Sequence, residues 1–217
     1  MPSWCDWDAI RRARLASEPF AWAVVRDAFP TREARRRLEE EFPTDGFIRT
    51  ERVSGTPGRK GYRTDNLPLV EAGQQVKAGV RRLSPAWRAL IEGLLSDAYR
   101  SAVADLTGRR LDGCALEVRA VRYGPGSWID PHTDRADKVV TQTWYFNSGW
   151  LPQWRGALRI LNSPAEDDVA DEVYPQLGES VVLLPSERSW HAVTPVADTA
   201  TQDRLTLLAH FVAADAT

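Results

Sequence analysis

Three side chains have the types and spacing of ligands for one metal ion. His132 and Asp134 are two residues apart, so in an extended segment their side chains point the same way and reach one point. His191 follows an apolar run of strand character, Val181–Leu184. Two imidazoles and one carboxylate on one face of a metal form the ligand set that binds non-haem Fe(II) and leaves further positions open. An H-x-D pair alone is common by chance, so this prediction depends on the later histidine and on an arginine downstream.

That arginine is Arg204, which lies in an otherwise apolar run thirteen residues after His191. A buried guanidinium is costly unless a carboxylate meets it, and its planar fork binds a carboxylate through two parallel hydrogen bonds. The carboxylate belongs either to a bound small molecule or to the protein itself. For the second case, a structural ion pair, the candidate partner is Glu117.

Helices are predicted in the first half of the chain. They cover residues 7–17, a segment that begins at Pro30-Thr31 and ends near Glu41, and residues 84–107. In the last of these, apolar residues recur at helical spacing and form a stripe that faces the core.

Strands dominate the second half. Residues 44–68 are rich in Gly, Pro and charge, and we expect a long surface loop there. One early strand is predicted at 20–25, and period-two patterns predict six more over residues 115–123, 139–147, 156–161, 180–184, 190–196 and 203–213. Helices followed by strands favour an α+β fold with a sandwich or barrel core.

Length and composition exclude several classes of protein. A chain of 217 residues with 43% hydrophobic and 27% charged residues is typical of one globular domain. The net charge of −2 argues against a nucleic-acid partner, and no apolar run reaches the roughly 20 residues of a membrane span. The chain begins without a signal-peptide pattern, and the isolated cysteines Cys5 and Cys114 indicate reduced thiols, so we expect a cytoplasmic protein.

The second half resembles the catalytic core of the Fe(II)/2-oxoglutarate-dependent oxygenases, on the prolyl-4-hydroxylase-like branch. The resemblance covers residues 115–213. The pieces that carry it are Val121-Arg122-Tyr123-Gly124-Pro125-Gly126, His132-Thr133-Asp134, Thr143-Trp144-Tyr145-Phe146-Asn147, Trp154-Arg155-Gly156-Ala157-Leu158-Arg159, Trp190-His191-Ala192-Val193 and Arg204-Leu205-Thr206.

The resemblance implies a fold and a domain organisation. The fold is a double-stranded β-helix, or jelly roll, with N-terminal helices packed on one sheet. Residues 1–217 would form a single oxygenase domain, with a helical part at 1–110 that includes the loop 44–68, and a jelly-roll catalytic core at 111–217.

The resemblance also implies roles for individual residues. The metal ligands for Fe(II) would be His132, Asp134 and His191. Residues expected at the cosubstrate 2-oxoglutarate are Arg204, which would pair with its distal carboxylate, and Tyr123, Thr206 and Tyr145. The third reactant of this family is O2. Because Asp134 occupies the position that a small residue takes in the family's halogenases, hydroxylation is favoured over halogenation.

Three further residues are candidates for contact with a substrate. His210 has the same strand parity as Arg204 and should face the barrel interior, where either a core hydrogen bond or a substrate contact would satisfy it. Arg119 shares parity with Tyr123 and could bind a substrate carboxylate, although a structural arginine is the commoner case. Trp144 either packs in the barrel or contacts substrate.

We therefore expect an Fe(II)- and 2-oxoglutarate-dependent dioxygenase. It would hydroxylate an unactivated C–H bond of a small substrate, amino-acid-derived or bound to a peptide or carrier, and release succinate and CO2. One alternative is the same centre performing desaturation, epoxidation or cyclisation in natural-product biosynthesis. A second is a metal-binding jelly roll of cupin type that does not use 2-oxoglutarate.

Overall fold

The computed structural model describes residues 4–53 and 59–214, which form five α-helices, one 3-10 turn and twelve strands. The helices are α1 Trp7–Arg12, α2 Arg32–Glu40, α3 Lys77–Val80, α4 Pro85–Leu94 and α5 Asp97–Thr107. The strands are β1 Trp22–Val25, β2 Ile48–Arg52, β3 Tyr62–Glu71, β4 Gln74–Gln75, β5 Ala115–Tyr123, β6 Trp128–His132, β7 Lys138–Tyr145, β8 Leu158–Leu161, β9 Val169–Val173, β10 Ser180–Leu183, β11 His191–Val193 and β12 Arg204–Val212.

The strands form one curled antiparallel sheet. Its order is β1-β10-β7-β12-β5-β3 on one side and β6-β11-β8-β9 on the other, with β3 hydrogen bonded to both β5 and β6. The link between the two parts is the register Tyr62↔Ile129. The predicted α+β fold with a jelly-roll core is confirmed.

Strand alternation divides the core into two layers. On β12, Leu207, Ala209 and Phe211 pack against the helices, whereas Arg204 and Thr206 turn to the barrel interior. The interior layer contains apolar residues of β5, β7, β8, β10 and β11. Neighbouring residues of one strand therefore face opposite sides of the sheet. Only those that face the barrel interior can contribute to a site there.

A buried polar chain joins the helices to the sheet. The hydroxyl of Tyr99 on α5 donates to Gln142 Oε1 on β7 at 3.0 Å, and Gln142 Nε2 donates to Ser180 Oγ on β10 at 2.8 Å. All three residues are buried: Tyr99 and Ser180 have no exposed surface, and Gln142 is 1% exposed. Buried polar groups need hydrogen-bond partners, so this series of hydrogen bonds fixes the position of α5 on the sheet.

Two helix predictions need correction. The segment 84–107 is two helices, because Ser96 ends the first and caps the second: its hydroxyl accepts the backbone N–H of Tyr99 at 3.4 Å. The segment 7–17 is helical only over Trp7–Arg12.

The predicted surface loop at 44–68 is wrong. The segment contains β2 and the first part of β3, and β3 lies inside the sheet between β5 and β6; residues 54–58 fall outside the described part of the chain. The apolar pattern is weak because β2 is mostly exposed and pairs only with β3, through backbone hydrogen bonds that sequence periodicity does not show. As a result, β1 and β3 from the first 110 residues are part of the sheet.

No helix within the described residues is long and apolar enough to cross a membrane.

The polar chain predicts the effect of one atom on stability. Tyr99→Phe should leave Gln142 Oε1 buried without a donor and lower the free energy of unfolding by about 1–3 kcal/mol. Urea unfolding measures this, with Tyr174→Phe as the control, because Tyr174 is only partly buried and its hydroxyl lies 3.4 Å from Glu172. Equal stability losses in the two variants would contradict the role of the chain.

Candidate metal centre

The two central histidines face each other across one strand pair. His132 ends β6 and His191 begins β11, and the antiparallel register makes them direct partners. Their ring centroids are 4.2 Å apart. One ligand atom from each, together with a carboxylate oxygen of Asp134, lies within 4.8 Å of the other two. The strand pairing thus brings together three side chains that the sequence predicted as ligands.

Backbone carbonyls hold both rings. His132 Nδ1 lies 2.9 Å from the carbonyl oxygen of Asp130, and His191 Nδ1 lies 2.8 Å from that of Ser189. A carbonyl only accepts, so each Nδ1 carries the proton and each Nε2 is left with a free lone pair. Burial lowers the pKa of both imidazoles, which keeps them neutral, the form in which histidine binds a metal.

Asp134 is held from behind by two donors. Lys138 Nζ donates to Oδ1 at 2.7 Å, and Thr141 Oγ1 donates to Oδ2 at 2.7 Å. Burial by itself would raise the pKa of this carboxyl, but the ammonium of Lys138 holds it well below its usual range. Each carboxylate oxygen has a second lone pair, so the two hydrogen bonds orient the group without consuming it.

His210 contacts both donors to Asp134 and determines the direction of the hydrogen bonds among them. Its Nδ1 lies 2.9 Å from Thr141 Oγ1, and its Nε2 lies 3.4 Å from Lys138 Nζ. Because the single hydroxyl proton of Thr141 goes to Asp134, the proton between Thr141 and His210 belongs to Nδ1, and Nε2 accepts from Lys138. His210 is 3% exposed, and the cavity wall, as far as the described residues form it, does not include it. Its position is that of a residue behind Asp134, not of a substrate contact.

Arg204 is buried without an ionic partner. It is 1% exposed and lies opposite Tyr123 in the register of β12 and β5. Its Nε and Nη1 have no hydrogen-bond partner among the described residues. Glu117, the candidate for a structural ion pair, instead lies 3.7 Å from Arg135. The guanidinium therefore keeps two buried donors for a group from outside the chain, and a carboxylate fits its fork.

Aromatic rings and hydroxyls surround this guanidinium. Its Cζ lies 4.6 Å from the ring centroid of Tyr123 and 5.2 Å from that of Tyr145. The Tyr145 hydroxyl lacks a partner within the described ranges, and burial raises the pKa of Tyr145 to about 12, against the opposing effect of Arg204. Thr206 Oγ1 donates to the carbonyl of Val121 at 3.2 Å. A small dicarboxylate held by Arg204 would find the Tyr145 hydroxyl available as a further donor.

An open cavity of about 940 Å³ leads to the metal ligands. His132 and Asp134 line it, as does Arg119, which was predicted from its strand parity to face this side. Arg204 is not among the described residues that line this cavity and is buried inside the barrel. The size is within the range of small-molecule sites.

Trp144 lies on the other side of the sheet, which corrects its candidacy as a substrate contact. Its ring packs against Phe29 and Tyr99 in the layer beneath the helices, with centroids 5.7 and 6.3 Å away. The cause is strand alternation: the next residue, Tyr145, takes the interior position.

Lys60, Lys138 and Thr141 were missed by the sequence analysis. A signal for the first two was present, since the chain contains 25 arginines but only three lysines, and two of those three line this cavity. The hairpin of β2 and β3 also lines it, through Thr50, Thr64 and Asn66.

The comparisons agree with this geometry. Residues 118–212 match the sequence model of the 2OG-Fe(II) oxygenase superfamily. The match covers somewhat less than half of the chain, and it includes all three candidate metal ligands. The family uses Fe(II), 2-oxoglutarate and O2, and its donor set is the one present here. The match and the donor set together support a dioxygenase. No curated protein matches the chain.

Solved structures share the fold at low identity. A Pseudomonas putida prolyl-4-hydroxylase is 22% identical over 95% of this chain and 96% of its own, with a TM-score of 0.55. A Trichoplax adhaerens prolyl hydroxylase, in complex with a peptide fragment of the hypoxia inducible factor oxygen degradation domain, is 16% identical over 88% and 83%, with a TM-score of 0.62. HygX from Streptomyces hygroscopicus, with nickel and 2-oxoglutarate bound, is 14% identical over 89% and 83%, with a TM-score of 0.56.

The support of Asp134 predicts an effect on metal affinity. Thr141→Val should weaken Ni(II) binding about tenfold or more, because the carboxylate loses the donor that orients it. Calorimetry measures this against Thr143→Val, a buried threonine two residues along the same face of β7 that is not hydrogen bonded to Asp134 in the described structure. Unchanged affinity in Thr141→Val would show that Asp134 needs no such support.

Proposed function

We propose that this dioxygenase hydroxylates an unactivated C–H bond of a small or peptidyl substrate and converts 2-oxoglutarate to succinate and CO2. In this proposal His132, Asp134 and His191 bind Fe(II), and Arg204 binds the distal carboxylate of 2-oxoglutarate. The observation that carries it is the cluster of three ligand atoms within 4.8 Å at an open cavity. Two of the structures with this fold are prolyl hydroxylases, which supports hydroxylation as the outcome.

Each side chain has a defined task in this proposal. The Nδ1 hydrogen bonds of the histidines aim both Nε2 atoms at one point, and Thr141 and Lys138 hold Asp134 towards it. Bound Fe(II) would supply the activation of O2 and the oxidation of the C–H bond, for which the protein provides positioning.

The environment of the site suits this chemistry. The ligands are largely buried: His132 is 9% and His191 7% exposed. Large aromatic side chains such as Trp190 at the cavity wall help to keep water from an oxidising centre. Asp134 fills the carboxylate position, which favours hydroxylation over halogenation.

Arg204 favours a 2-oxoglutarate enzyme over a cupin-type protein. A cupin-type site gives a buried guanidinium no task, and burying an arginine with unmet donors destabilises the fold. Here Arg204 keeps two such donors, with no hydrogen-bond partner among the described residues. A third histidine, which a cupin-type site would use as a ligand, is engaged elsewhere: His210 bonds Thr141 and Lys138.

Removal of a ligand predicts the loss of turnover. Asp134→Asn should reduce succinate formation from 2-oxoglutarate to background, because the amide is a poor ligand for Fe(II) and no longer accepts from Lys138 as an anion. Asp137→Asn is the matched control: Asp137 is half-buried, pairs with Arg135 at 2.9 Å, and is not among the described residues that line the cavity. Succinate is measured in air without an added substrate, and full activity in Asp134→Asn would refute its assignment as a ligand.

Loss of the guanidinium predicts a selective effect on the cosubstrate. Truncating one partner of a buried charge pair costs about 2–5 kcal/mol, so Arg204→Met should raise the KM for 2-oxoglutarate at least roughly 30-fold. Its kcat at saturating 2-oxoglutarate should change far less. Arg159→Met serves as the control, because Arg159 is satisfied by Glu172 at 2.6 Å. The same KM in Arg204→Met and the parent would disprove the anchor.

A further inference from the structure

The wall of the cavity carries an excess of positive charge. Among the described residues, six basic and three acidic side chains line it. The basic ones are Arg52, Arg59, Lys60, Arg119, Arg135 and Lys138. This excess contrasts with the chain as a whole, whose net charge is −2. A charge of one sign in a partly enclosed space attracts a ligand of the other sign.

The three acidic side chains offset only part of this excess. Asp134 is held by Lys138 and Thr141. Asp130 accepts from the backbone N–H of Gly61 at 2.7 Å and from Trp128 Nε1 at 2.8 Å, and neither donor is a cation.

The third acid is also engaged. Glu117 lies 3.7 Å from Arg135, which makes a closer pair with Asp137 at 2.9 Å. The cations that remain are therefore those on β5 and on the hairpin of β2 and β3.

Arg119 and Lys60 are two cations of the cavity wall that form no ion pair with a described residue. Arg119 Nε is also buried without a hydrogen-bond partner among these residues. Burial lowers the pKa of Lys60 to about 7, with Lys138, Arg119 and Arg52 acting in the same direction against Asp134. Both side chains would be stabilised by an anion placed between them.

This anion is not the one assigned to Arg204. Arg119 is four residues from Tyr123 on β5, and Tyr123 is the direct partner of Arg204. At roughly 3.3 Å per residue the two backbone positions are about 13 Å apart along the strand, and Arg204 is not among the described residues that line the cavity. Arg119 instead lines the open cavity together with His132 and Asp134.

We propose that Arg119 and Lys60 form an anion subsite that binds the carboxylate or phosphate group of the substrate and thereby places a neighbouring C–H bond at the metal centre. The guanidinium offers a planar fork and the ammonium a point charge, a combination that suits both oxyanions. The identification of this ligand as substrate rests on the proposed function, whereas the binding of an anion does not.

The test is a titration of the full-length protein at constant ionic strength with two probes, inorganic phosphate and ¹³C-labelled acetate, followed by NMR. It is performed without metal and again with Zn(II) and 2-oxoglutarate. We expect saturable binding of at least one probe, weakened at least about tenfold in Arg119→Gln and in Lys60→Gln. Circular dichroism checks that each variant is folded.

Arg122→Gln is the matched control for Arg119→Gln. Arg122 lies on the opposite face of β5, where its guanidinium is 4.3 Å from the Phe47 ring and Nη1 donates to the carbonyl of Thr44 at 3.3 Å. The affinity of the Arg122→Gln variant for either probe should stay within twofold of that of the parent protein. Equal weakening in Arg122→Gln would mean that binding reflects surface charge, and the subsite would be refuted.

The probes also identify the source of the anion. Tighter binding of acetate assigns a carboxylate, and tighter binding of phosphate assigns a phosphate ester. Absence of saturable binding for both refutes the subsite, even if Zn(II) and 2-oxoglutarate bind. Binding that depends on Arg119 in a protein that binds neither metal nor 2-oxoglutarate would support the subsite and refute the proposed function.

Discussion

The site depends on one cross-strand pair, His132 opposite His191. Antiparallel pairing of β6 with β11 sets the two imidazoles 4.2 Å apart between centroids, and carbonyls two residues upstream turn both Nε2 atoms to the same point. Neither strand is long, so this register is maintained by neighbours: β8 pairs with β11, and β3 pairs with β6. A slip of one residue would turn each side chain to the other face of the sheet. The pairings with β8 and β3 therefore keep both imidazoles on the same face.

The charged groups inside the barrel are of two kinds: those with hydrogen-bond partners in the protein, and those with nitrogens that have no partner among the described residues. Asp134 is satisfied from behind by Lys138 and by the relay from His210 through Thr141. Arg204 and Arg119, by contrast, keep buried nitrogens without partners. Buried polar groups are ordinarily paired, but Arg122 Nε is unpaired as well. The proposal of outside anions at Arg204 and Arg119 therefore depends also on their surroundings, which are the Tyr123 and Tyr145 rings for Arg204 and the cavity wall for Arg119.

Sequence patterning predicted most strands of the second half and singled out three side chains that the fold brings together, but it missed several strands and the residues that support the site. Alternation of apolar and polar residues predicted β5 over its whole length and β12 to within one residue at each end. It did not predict β2 and β3, whose place depends on backbone pairing, nor β6 and β9, which also lack a clear apolar alternation. It also missed the break at Ser96, where a capping side chain interrupts a continuous apolar stripe. Lys138 is four residues from Asp134 in sequence, but only the fold shows that His210 joins them.

The central claim is that one buried site binds Fe(II) and 2-oxoglutarate together. The most direct measurement is the visible spectrum of the anaerobic protein with Fe(II) as 2-oxoglutarate is added, with His132→Ala as the control. The account predicts a weak charge-transfer band that saturates with 2-oxoglutarate in the parent and is absent from the variant. Fe(II) binding without any such band would contradict the account and favour a metal-binding jelly roll of another kind.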